Sequence, residues 1–134
     1  MSSMGRAIQA VIVFSTLLGV VFLWQVDGLV PPPVFDFVAT GWVLFVIDCA
    51  LTFVKPRASY ALGLVLALLA LATSLPESAH YAFIQEGAVL PAAIFLTGTG
   101  AQLLLIGLVS YYFVSGRGRS ASGPAGNEAA PLPT

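Results

Sequence analysis

Polar residues are sparse along this chain, and where they fall divides it into four long apolar runs, at about 8–26, 36–54, 59–75 and 89–114. Each is close to or beyond the roughly 20 residues that a helix needs to cross about 30 Å of hydrocarbon. The breaks between them carry helix-ending chemistry. After the first run, Gly28 and Pro31-Pro32-Pro33 read as a stiff, extended connector that cannot continue a helix. Asp36 is then expected in the first turn of the second span, where a carboxylate favours the positive end of the helix dipole. Lys55-Pro56-Arg57 stops that span. At the end of the third run, Ser74-Leu75-Pro76-Glu77 reads as a capping box, with Pro76 tolerated in the first turn. It predicts a short interfacial helix over 76–86, ended by Gly87, with Tyr81, Phe83 and Ile84 at headgroup level. The fourth run opens with Pro91 in its first turn and is long enough to require tilt.

The predicted fold is an all-α integral membrane protein. Four transmembrane helices form a compact bundle over 8–115, with the short interfacial helix between spans three and four. A cytoplasmic N-terminus occupies 1–7, and a Gly-, Ser-, Ala- and Pro-rich tail over 116–134 is expected to be disordered. Composition agrees: the 134 residues are 58% hydrophobic and 8% charged, against about 25% charged in soluble domains. A chain of this size cannot hide so much apolar surface in a soluble core. The first run reads as a span and not as a removable leader, because it is long and Trp24-Gln25-Val26-Asp27 offers no small-residue cleavage pattern.

Charge placement predicts topology. Every Lys and Arg lies before span one (Arg6), between spans two and three (Lys55, Arg57) or after span four (Arg117, Arg119). With four crossings these places share one side, which the positive-inside rule makes cytoplasmic. Asp27, Asp36, Glu77, His80 and Glu86 fall on the other side, with no basic residue among them. The expected location is the cell membrane, with both termini cytoplasmic.

Small residues suggest how the spans meet. Gly63, Ala67, Ala70 and Ser74 recur at spacings of four, three and four, and Ala93, Gly100 and Gly107 at seven, with Thr97 on the same stripe. Ser15 and Gly19 form a shorter pair in span one. Such stripes let membrane helices approach closely, since packing replaces the hydrophobic drive that lipid removes.

Candidate chemistry is thin. Cys49 is the single cysteine, which excludes an intrachain disulfide, a CxxC redox pair and a cysteine-based zinc site. Asp48 is the one charged residue expected inside the bilayer, where a carboxylate is costly unless protonated, paired or facing water. Thr52 on its own helix and Gln102 near the midplane complete a candidate intramembrane polar site, with Gln9, Ser15, Ser110 and Tyr111 at similar depth to Asp48. Three roles suit Asp48: a structural clamp between helices, a contact with a partner subunit, or proton or cation coupling. Outside the spans, Glu77 and His80 form an i, i+3 pair that resembles half of a di-iron carboxylate motif, but the second half is missing. They are weak metal candidates, and no metal, cofactor or catalytic residue is assigned. There is no glycine-rich phosphate loop, Ser-His-Asp arrangement or nucleic-acid patch.

These features point to a small multi-pass protein without an evident catalytic site, and not to an enzyme. The expected partners are the lipid bilayer and other membrane subunits, or further copies of the chain. An accessory, structural or assembly subunit of a larger membrane complex is the first reading. A small oligomeric transporter or channel coupled through Asp48 is the alternative.

Overall fold

The computed structural model describes residues 2–120, with side chains through Gly116; the rest of the expected tail, 121–134, lies outside the described residues. Five helices follow in order: α1 (Ser3–Val26), α2 (Pro32–Val54), α3 (Pro56–Ser74), α4 (Ser78–Gln85) and α5 (Val89–Ser120). No strand occurs among the described residues. α1, α2, α3 and the Val89–Gly116 part of α5 are long and apolar enough to cross a membrane. α1 packs against α2 and α5, α3 packs against the same two, and α4 rests on α5. The spans therefore close a ring in the order α1, α2, α3, α5, with α4 outside it.

Helix ends differ from the sequence expectation for identifiable reasons. Ser2 caps α1, its hydroxyl accepting from the Gly5 amide at 3.1 Å, so the helix starts before the apolar run does. The three prolines do not simply precede α2: Pro31 is its extended N-cap, and Pro32 and Pro33 open the helix. First-turn amides have no intrahelical acceptor, so proline loses nothing there, and its fixed φ suits the start. Asp36 is consequently beyond the first turn, which holds no acidic residue. Lys55 alone links α2 to α3, serving as C-cap of one and N-cap of the other, with Pro56 at the first position of α3.

The Ser74 capping box does not form. Ser74 ends α3, and Glu77 is the N-cap of α4, its own carboxylate accepting from the Ala79 amide at 3.3 Å. α4 ends as expected at Gly87, whose φ of +70° closes a Schellman turn. The Ala88 amide donates to the Phe83 carbonyl at 2.9 Å and the Gly87 amide to that of Ile84 at 3.3 Å. α5 runs through Gly116 to Ser120, where the tail was expected to have begun.

The core is Ile8 and Ile12 of α1, Tyr60 and Ala67 of α3, and Leu105 and Val109 of α5. Around it, Phe14, Leu17, Trp24, Phe37, Phe53, Leu68 and Leu103 point outward. So much apolar exterior would drive aggregation in water, and it is the surface that lipid solvates.

The small-residue stripes divide. Gly63 and Ala67 are buried and Ala70 is half-buried, as expected of a packing face. Ala93, Gly100 and Gly107 are exposed, and open space lies over Gly100 and Gly107. The expectation that they seat against another span of this chain is corrected. α5 buries Ile94, Ala101, Gln102, Leu105 and Val109 instead. That row is one residue out of step with the stripe, which turns the glycines away by roughly 100°.

Candidate functional site

Asp48 faces the centre of the bundle, and its exposure is 0%. Its Oδ1 accepts a hydrogen bond from the Ser59 hydroxyl of α3 at 2.7 Å. The same hydroxyl lies 3.1 Å from the Asp48 backbone carbonyl, a second acceptor for its one proton. Oδ2 is buried and has no hydrogen-bond partner among the described residues. It lies against Gly63: a Cβ added there would come within 2.8 Å of Oδ2. Ile12 of α1 and Leu105 of α5 flank the same point, at 3.4 and 3.7 Å from that Cβ. All four spans thus contribute to the walls around one carboxyl group, and no ion pair offsets it among the described residues.

Asp48, Thr52 and Gln102 do not form one cluster. Thr52 accepts from the Gln9 side-chain amide of α1 at 3.2 Å and donates to the Cys49 carbonyl at 2.8 Å. Gln102 donates to Ser15 at 3.3 Å, and its side-chain carbonyl oxygen is buried with no partner among the described residues. The expected neighbours Ser110 and Tyr111 are exposed. Each polar group instead joins a different pair of helices.

Two further links escaped the sequence reading. The Trp42 indole N–H donates to the Thr16 carbonyl at 3.0 Å, and the Thr16 hydroxyl donates to the Ile12 carbonyl at 2.9 Å and reaches that of Phe45 at 3.3 Å. Gly19 makes room for that indole, since a Cβ on it would stand 2.5 Å from the ring. At the other end of the bundle, the Tyr60 hydroxyl reaches the Gly5 carbonyl at 3.4 Å, and its ring meets Tyr112 edge-on at 5.0 Å. Buried polar groups in a span seek partners on neighbouring helices, because hydrocarbon offers none. Ser59 was missed because it stands at the start of its run, where a hydroxyl reads as interfacial. The one-residue link at Lys55 folds it back beside Asp48.

Outside the spans, Glu77 and His80 are engaged separately. Glu77 caps α4, whereas His80 holds its Nδ1 3.0 Å from the Ser74 carbonyl and stacks on Phe95 at 4.6 Å. Among the described residues no group of three or more His, Cys, Asp or Glu side chains gathers to hold a metal. Cys49 is free and half-buried. No protein-family model, curated protein or solved structure matches the chain.

Proposed function

We propose that this protein is a non-catalytic, multi-pass subunit that supports the assembly or structure of a larger membrane complex. The observation that carries this reading is the closure of Asp48: its carboxyl group has no exposure to either face of the bundle and is held by a neighbouring helix. The other buried polar side chains tie the protein's own spans together, as internal scaffolding requires. The small stripe of α5 faces away from this core and leaves a surface on which a partner's helix packs closely.

Purification from native membranes in mild detergent is expected to recover larger subunits in fixed stoichiometry. Gly100→Leu or Gly107→Leu should release them while leaving the thermal stability of this chain unchanged, because no atom lies within 4 Å of a Cβ built at either glycine. A self-contained oligomer that loses stability on either substitution refutes the reading.

The unpartnered Oδ2 favours a second reading, a proton- or cation-coupled transporter. Asn is nearly the same shape but carries no charge and exchanges no proton. Asp48→Asn should leave assembly intact if the protein is a subunit, and should abolish ion flux with the fold retained if it is a transporter.

The basic ends of α1, α2 and α3 support placement of both termini in the cytoplasm. On a Cys49→Ala background, an impermeant thiol reagent should modify Ser78→Cys from outside and Ser120→Cys from inside only. Outside labelling of the latter overturns that orientation.

A further inference from the structure

We propose that the groove between α1 and α2 at the basic end of the bundle binds one anionic phospholipid, its phosphate on Arg6 and an acyl chain along Ala10, Phe14 and Leu17. The groove is shallow and widely open to the outside, with a volume of about 420 Å³. Its lining grades in one direction, from Arg6 and Gln9 at one end to Ala10, Phe14 and Leu17, with Phe53 of α2 as the facing wall. From Arg6 to Leu17 the helix rises about 16 Å at roughly 1.5 Å per residue. That is close to half of a hydrocarbon core about 30 Å thick. One leaflet's lipid fits this length, whereas a partner's transmembrane helix would continue across both.

The head of the groove is electrostatically unsatisfied. Arg6 is exposed and has no carboxylate partner among the described residues. The Gln9–Thr52 bond sets the two helices in register, so Lys55, just past Thr52, returns to the level of Arg6 and adds a second exposed cation. Asp27 and Asp36 lie in and beyond the α1–α2 connection, and Glu77 and Glu86 flank α4, all at the opposite end of the bundle. Among the described residues no anion there competes for Arg6, since Asp48 is buried and bonded to Ser59. A guanidinium pairs bidentately with a phosphate, and basic sites between spans retain anionic headgroups, whereas a choline headgroup adds a repelling cation. The neighbouring groove between α1 and α5 shares Ala10 and Phe14 but has no charged residue, so it lacks this selectivity.

Native mass spectrometry of the purified full chain, with equal amounts of phosphatidylglycerol and phosphatidylcholine of matched acyl chains, tests the site. One phosphatidylglycerol per chain should be retained in preference. Arg6→Gln should lower that preference about fivefold, the effect of one basic residue at a membrane surface. Ala10→Phe, which fills the floor of the groove, should release the lipid without lowering thermal stability. Arg57→Gln, at the same end but outside the groove, should leave retention as in the parent protein. Equal retention of the two lipids, or equal losses on Arg6→Gln and Arg57→Gln, overturns the proposal, as does undiminished retention by Ala10→Phe.

Discussion

Ser59→Ala is expected to destabilise the bundle by about 1–3 kcal/mol, although it removes a single oxygen atom. The Ser59 hydroxyl is the donor to the Asp48 carboxyl group, which has no other donor among the described residues. Without it both carboxyl oxygens are buried with no hydrogen bond. Leaving a buried polar group unsatisfied carries that penalty, and a charged one carries more. The reverse deletion is asymmetric. When Asp48 is replaced by Ala, the Ser59 hydroxyl keeps the backbone carbonyl of position 48, now 3.1 Å away, as its acceptor. Asp48→Ala should therefore remove most of the cost of Ser59→Ala, and thermal unfolding of the two single variants and the double variant in one detergent measures the coupling. Equal losses from Ser59→Ala with and without Asp48 would show that the hydroxyl matters for some other reason.

Gly63→Ala is expected to destabilise by a similar amount, through crowding. The added methyl would stand 2.8 Å from Asp48 Oδ2, and swinging the carboxyl group aside would give up its hydrogen bond from Ser59. Overpacking a filled site costs about 1–3 kcal/mol. Against this stands the gain of roughly 0.5–1 kcal/mol from replacing a helical glycine by alanine. The balance should change sign when the carboxyl group is absent: on an Asp48→Ala background, Gly63→Ala should be neutral or stabilising. Gly100→Ala is the control, since nothing lies within 4 Å of its added methyl, and it should be neutral or mildly stabilising. Were Gly63→Ala and Gly100→Ala to behave alike, Gly63 would not be the seat of the Asp48 side chain.

Both predictions give Gly63 a role other than the one its spacing suggested. In the 63-67-70-74 row it reads as a residue that lets two backbones touch. Gly63 and Ala67 are buried and Ala70 is half-buried, but what occupies the space at Gly63 is a side chain. Gly19 repeats the lesson, holding the Trp42 indole. In α5 the same kind of pattern marks a face that the described residues leave exposed. A missing Cβ records that something approaches, and spacing alone cannot distinguish a backbone, a side chain, a partner or lipid.

The four spans, the short helix after the third and its stop at Gly87 were legible in the residues because local chemistry decides them. A run of apolar side chains has one stable solution in hydrocarbon, a helix that bonds its own backbone. A glycine at positive φ ends a helix wherever the chain carries it. Asp48 was also legible as the residue to explain, since a carboxylate is costly at that depth whatever surrounds it. Its partner was not. Pairing depends on the rotation and depth of one helix against the next, and these follow from the single-residue turn at Lys55 and the packing of Ile12, Ala67 and Leu105. A rotation of about 100° separates consecutive residues, so a row shifted by one position turns an interior stripe into an outer face. Only the packed bundle chose Ser59 for Asp48, Ser15 for Gln102 and Gln9 for Thr52, because each choice rests on how two neighbouring helices are rotated and set in depth against each other.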